Sequence, residues 1–142
     1  MNYKDERKYL ENELRSYRYI VNKCYEYENE IAEATIQKFG TSSKNAQLVI
    51  YENVSNPYKD KWIELDDIIN KAYDKLLFWK QRREWIEDCL SRLDDPFEIK
   101  IIHLRYIYES SKTDIQLAKA IGCHRNTLRN TTNRAFKKML KK

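Results

Sequence analysis

Lys112-Thr113-Asp114-Ile115-Gln116-Leu117-Ala118-Lys119-Ala120-Ile121-Gly122-Cys123-His124-Arg125-Asn126-Thr127-Leu128-Arg129 is the stretch whose reading decides the fold. Thr113 is placed to cap a helix, and Gln116, three residues on, completes a capping box. Leu117, Ala118 and Ile121 fall on one face at helical spacing. Gly122 then ends the helix, because glycine takes the left-handed backbone state at little cost. A second helix follows, with Leu128, Thr131, Ala135 and Met139 on one stripe. Its opposite face carries Arg125, Asn126, Arg129, Asn130, Asn133 and Arg134. Fork-shaped and amide side chains on such a face suit base edges in a DNA major groove. The plainer alternative is a helical hairpin with a merely solvated polar face. The coincidence of cap, small residue, glycine and basic face favours binding.

Charge is distributed to match. The formal net charge is +5, yet residues 96–142 hold eleven Lys or Arg against Glu98, Glu109 and Asp114. Residues 1–95 hold 16 basic and 19 acidic residues, so the whole basic surplus travels with the quoted stretch. A phosphate-binding surface requires that pattern. Only 2 Gly and 2 Pro interrupt 142 residues, and 35% of the chain is charged, which predicts an all-α protein.

Upstream, one long helix is expected from about Asn2 to Phe39, closed by Gly40. Leu10, Leu14, Tyr17, Val21, Cys24, Glu28, Ile31 and Thr35 alternate at steps of four and three, a heptad seam. The six tyrosines at positions 3, 9, 17, 19, 25 and 27 lie among acidic residues. They read as the amphipathic rim of that seam rather than as stacking platforms for single-stranded nucleic acid. A loop near 40–56 follows, in which Leu48, Val49, Ile50, Tyr51 and Val54 suggest an extended connection. Asn56-Pro57 opens a second long helix reaching about Leu93. Its seam is Trp62, Leu65, Ile69, Ala72, Leu76, Trp79, Arg83, Ile86, Leu90 and Leu93. Two seams of this length suit an antiparallel coiled-coil hairpin about 50 Å long. The break at Glu28 and Arg83 would be a paired polar layer fixing register. Pairing between chains is the rival arrangement, and a thin two-helix core favours dimerisation.

Asp94-Asp95-Pro96-Phe97-Glu98 is a second start signal. Asp95 is the expected cap, Pro96 the first helical residue and Glu98 the capping-box partner. The helix continues through Ile101, Ile102, Leu104, Arg105, Tyr106 and Ile107 and would complete a trihelical domain. The expected organisation is therefore a helical coiled-coil, oligomerising region over 1–95 and a helix-turn-helix domain over 96–142.

Leu104-Arg105-Tyr106-Ile107, a short polar link, the capped helix, Gly122 and a basic helix ending Arg134-Ala135-Phe136-Lys137-Lys138-Met139 resemble region 4 of bacterial sigma factors. They are still more similar to the sigma-region-4-like domains of small phage transcription regulators of the RinA and ArpU type. The likeness covers roughly the last 45 residues; the first 95 match in general layout only. It implies that the start of the second helix reads bases, which falls on Arg125, Asn126, Arg129 and Asn130. His124 stands where that family usually has a Ser or Thr cap. Asn126 stands where sigma factors usually carry a glutamate, so a −35-like target is not implied. The expected function is a sequence-specific double-stranded DNA-binding transcriptional regulator of phage or prophage origin, acting in the cytoplasm. Lys112, Lys119, Arg134, Lys137 and Lys138 would hold phosphates. The expected partners are double-stranded DNA and a second copy in a homodimer, with RNA polymerase as the alternative to the dimer. The runners-up are a phage small terminase or other DNA-packaging subunit, and a helical protein-interaction scaffold.

Enzyme readings find little purchase, and no catalytic residue is expected. His103 and His124 are the only histidines, and no phosphate-cradling glycine loop or nucleophile elbow occurs. Asp66-Asp67 and Asp94-Asp95 are adjacent pairs, which diverge by about 100° on a helix. Cys24, Cys89 and Cys123 lack metal or redox spacing and read as reduced thiols, so neither cofactor nor metal is expected. The polar N-terminus offers no secretory signal, and no apolar run is long enough to cross a bilayer.

Overall fold

The computed structural model describes residues 2–39, 57–108 and 112–141. Among them every regular element is helical. The expected extended connection over 47–54 lies outside the described residues.

Helix α1 spans Tyr3–Phe39 and α2 spans Pro57–Ser91. Asn2 starts α1 by accepting the Asp5 N–H at 2.9 Å. The two helices pack against each other, and they run antiparallel. Near the start of α1, Tyr9 meets Trp85 with ring centroids 5.3 Å apart, and Glu13 meets Arg82. Further along, Lys75 lies 5.8 Å from the Tyr27 ring and Phe39 packs edge-on against Trp62 at 5.7 Å.

The seam of α2 follows the sequence reading with one addition: Leu65, Ala72, Ile86 and Leu93 are buried and its other members half-buried, but Cys89 is buried beside the half-buried Leu90. The seam of α1 needs one correction. It steps Leu14, Tyr17, Ile20, Cys24, Tyr27, Ile31, Ala34, so Ile20 rather than Val21 is fully buried. From there the steps of three and four are exchanged, so Cys24 and Ile31 keep their places while the positions between and after them move back by one. Glu28 and Thr35 are thereby exposed, and Tyr27 and Ala34 turn inward. The choice between Ile20 and Val21 is settled downstream, because it exchanges a glutamate and a threonine for a ring and a methyl. The expected Glu28–Arg83 layer is therefore not formed. Glu28 faces outward, and Arg83 pairs along its own helix with Glu87 at 3.8 Å. The polar layer is instead Glu13–Arg82, where the guanidinium donates twice, at 2.6 and 3.1 Å. That contact holds the Arg82 guanidinium more firmly protonated than usual.

Three shorter helices follow: α3 (Pro96–Ile102), α4 (Asp114–Ile121) and α5 (Arg125–Met139). Asp95 caps α3 by accepting the Phe97 N–H at 2.9 Å. Glu98 does not close a capping box; its side chain points away from Asp95 toward α5. Beyond Ile102 the backbone widens into a π turn over His103–Ile107, with Tyr108 N–H donating to His103 O at 2.9 Å. Ile101, Leu117, Ala118 and Leu128 form a common core, flanked by Phe97, Leu104, Ile121 and Cys123.

By contacts the chain divides into two compact units: Met1–Ile20 with Arg82–Lys142, and Val21–Gln81. In the first unit the start of α1 and Arg92 just past α2 reach α5 and Tyr106. Phe136 of α5 is fully buried, with the Arg7 guanidinium 4.6 Å from its ring and Tyr106 edge-on at 5.3 Å. No helix among the described residues is long and apolar enough to cross a membrane.

Candidate nucleic-acid interface

Helix α4 begins with the capping box read from the sequence. Thr113 Oγ1 accepts the Gln116 N–H at 3.3 Å, and Gln116 Oε1 accepts the Thr113 N–H at 3.1 Å. It ends at Gly122, whose φ of 86° is the left-handed state. Gly122, Cys123 and His124 make the turn into α5. His124 takes the cap position, and its Nδ1 accepts the Asn126 N–H at 3.2 Å. A ring nitrogen thus does what a serine or threonine hydroxyl usually does at such a start.

Burial on α5 divides as its pattern predicts. Leu128, Thr131, Thr132, Ala135, Phe136 and Met139 are buried. Arg125, Asn126, Arg129 and Asn130 are all exposed, and their side chains make no hydrogen bond or ion pair among the described residues. The first turn of α5 contains no acidic residue. Its unpaired N–H groups and Arg125 therefore add positive potential at one place. A shallow open groove of about 340 Å³ adjoins it, lined by Ile115, Ala118, Lys119, Cys123, His124 and Arg125.

The five cations assigned to phosphate fall into two groups. Lys112, Lys119 and Lys137 are exposed without an acidic partner among the described residues. Arg134 and Lys138 are engaged. Arg134 Nε donates to Glu98 Oε1 at 2.8 Å, and Lys138 Nζ donates to the same oxygen at 2.9 Å. Lys138 also reaches Asp94 at 3.2 Å. The bond from Glu98 raises the affinity of Lys138 for its proton, and the bond from Lys138 lowers the Asp94 carboxyl below its ordinary range. Glu98 itself is 0% exposed, and its second oxygen is buried without a hydrogen-bond partner.

Several side chains that hold this face were not singled out from the sequence. Arg7 of α1 donates to Asn133 Oδ1 at 2.8 Å, so α1 grips the edge of the exposed stripe. Arg92, just past α2, donates to the Met139 carbonyl at 2.5 Å and satisfies the C-terminal end of α5. Arg105 bridges Asp114 at 3.0 Å and Thr132 at 3.3 Å, tying the π turn to α4 and α5. Glu98 was read only as a capping-box partner, and its pairing with Arg134 and Lys138 left no local signal. The contacts of Arg7 and Arg92 span long sequence separations and leave no periodicity to read.

Cys24 and Cys89 are buried and Cys123 is half-buried at the turn. Burial raises the Cys89 thiol above its ordinary value, which makes it less nucleophilic. No protein-family model, curated protein or solved structure matches the chain.

Proposed function

We propose that the chain is a sequence-specific double-stranded DNA-binding transcriptional regulator. The observation that carries this reading is the exposed stripe Arg125, Asn126, Arg129 and Asn130, unpartnered among the described residues, at the start of a helix held from behind. In this reading α4, the glycine turn and α5 act as a helix-turn-helix. Helix α5 enters a major groove N-terminus first, and those four side chains contact base edges. Arg125 and Arg129 suit guanine, and Asn126 and Asn130 suit adenine. Lys112, Lys119 and Lys137 hold phosphates. Arg134 and Lys138 are already committed to Glu98. The phage or prophage origin rests on the resemblance of the last 45 residues alone.

A single recognition helix contacts few base pairs, so a homodimer presenting two helices is the proposed working form. Exposed Ile63, Tyr73 and Leu77 in the Val21–Gln81 unit offer a protein partner apolar side chains to cover. An enzymatic role is not part of the proposal.

The test is selection of bound fragments from random DNA, followed by affinity measurement on the selected site. Arg125→Ala should cost roughly 1–3 kcal/mol on that site and relax preference at one position. Lys137→Ala should weaken selected and random DNA alike. Equal losses on both DNAs from both variants would refute the assignment of base readers. No affinity for any duplex at low salt would refute the function.

A further inference from the structure

Glu98 is completely buried, which is rare for a carboxylate and is tolerated only when the charge is paired. Its two partners come from one side of α5. Arg134 and Lys138 are one helical turn apart, and both donate to the same oxygen. The side chains of Arg134 and Lys138 remain 54% and 37% exposed, so their cationic heads lie at the protein surface. They sit on the helix that carries Arg125, Asn126, Arg129 and Asn130, and would otherwise add to its affinity for any polyanion. From the sequence they are indistinguishable from Lys137.

We infer that Glu98 is a specificity-determining residue: it withholds Arg134 and Lys138 from the DNA backbone and so limits binding to sequences that Arg125, Asn126, Arg129 and Asn130 can read. This rests on the DNA-binding reading above. The physical reason is an asymmetry. A cation that leaves Glu98 for a phosphate gains a solvent-screened contact and strands a buried carboxylate. Glu98 is poorly placed to lose a partner, because its second oxygen already has none. Phosphate therefore competes badly for these two cations, and the sequence-independent part of the affinity is set by fewer charges than α5 carries.

The consequence is measurable as salt dependence, since each phosphate neutralised steepens the fall of log K with log salt by about 0.9. The probes are a random-sequence duplex and the selected duplex, with the full chain in each case. Glu98→Gln should steepen the slope on random DNA by about 0.9, the equivalent of one phosphate, because Asp94 still holds Lys138, and the double variant Glu98→Gln with Asp94→Asn by about 1.8. The larger change corresponds to about a twelvefold larger affinity loss between 50 and 200 mM salt than in the parent. The ratio of selected to random affinity should fall. Arg134→Gln and Lys138→Gln, each leaving one cation on Glu98, should keep the parent slope. Thermal melts by circular dichroism verify that each variant is folded. A slope lowered by about 0.9 in either single-cation variant would overturn the inference, because that cation would already be on phosphate. An unchanged slope in folded Glu98→Gln would overturn it as well, while leaving the DNA-binding reading intact. Failure of the parent chain to bind either duplex would overturn both.

Discussion

Residues 1–20 and 82–142 bury Leu10, Leu14, Ile86, Ile101, Ile102, Leu128, Phe136 and Met139 completely. Among the described residues of 21–81, Cys24 is completely buried and Ala34, Leu65 and Ala72 nearly so, while Ile36, Ile63, Tyr73, Leu77 and Phe78 are about half exposed or more. The same two helices, α1 and α2, run through both units, so the difference does not lie in helix quality. Among the described residues it lies in the number of helices that pack together. A helix in a two-helix arrangement can cover one stripe and must leave the opposite one wet. Where α3, α4 and α5 join, Phe136 and Tyr106 find partners on three sides. The unit with the firmer core also carries the exposed cationic face, which suits a site that must hold its shape.

Single side chains separate the two units most sharply. Phe136→Ala should cost about 3–5 kcal/mol, because it opens a cavity among Tyr106, Arg7 and the helices around them. Leu77→Ala should cost no more than about 0.5 kcal/mol in an isolated chain. Urea titrations at several protein concentrations measure both. A large, concentration-dependent loss in Leu77→Ala would reveal that a second copy covers the stripe and supplies the missing layer.

A smaller effect is expected for polar contacts. Arg82→Ala strips the guanidinium from Glu13, whose side chain is 8% exposed, and should cost about 2 kcal/mol. Lys71→Ala removes only an ion pair to Asp67 in which both side chains are more than half exposed, and should be nearly silent. Equal losses from the two would mean that burial does not separate the units as described.

The smallest expected effect is electrostatic. Asp94 has a folded-state pKa below its ordinary value, chiefly through Lys138. Its contribution should therefore be complete above the ordinary carboxylate range, near about 4, and be lost as pH falls through the lowered value. Melting temperatures of the parent and Asp94→Asn should differ at neutral pH and converge in strong acid. A gap that persists there would assign the contact some other role.

Legibility followed the range of the interactions. The caps at Thr113, Asp95 and Gly122 were readable because each is decided within four residues. The α2 seam was readable because Leu65, Ala72, Ile86 and Leu93 recur at whole multiples of seven residues apart and fix its phase, although Cys89 beside Leu90 is buried unread. At Ile20 and Val21 two adjacent residues compete, and the outcome depends on Tyr27 and Ala34 one and two turns later. Glu98 was misread because its local role as a capping partner and its distant role beneath α5 use the same atoms. Arg7 and Arg92 act across most of the chain length, where spacing carries no information. The exposed face of α5 needed only the phase of one helix relative to Leu128 and Ala135, and the choice of Arg125, Asn126, Arg129 and Asn130 on it came from the resemblance.

The π turn at His103–Ile107 amounts to a phase shifter. With its hydrogen bond closing five residues back, residues five apart come to lie above one another. Ile101 and Tyr106 thus share a direction, as do Ile102 and Ile107, and all four are buried. An uninterrupted α-helix would instead carry the inward direction from Ile101 and Ile102 on to Arg105 and Tyr106. The widened turn sends the arginine to the rim, where it clasps Asp114 and Thr132, and brings Ile107 inward beside Tyr106. One surplus residue in a short helix thereby sorts a charge from a ring.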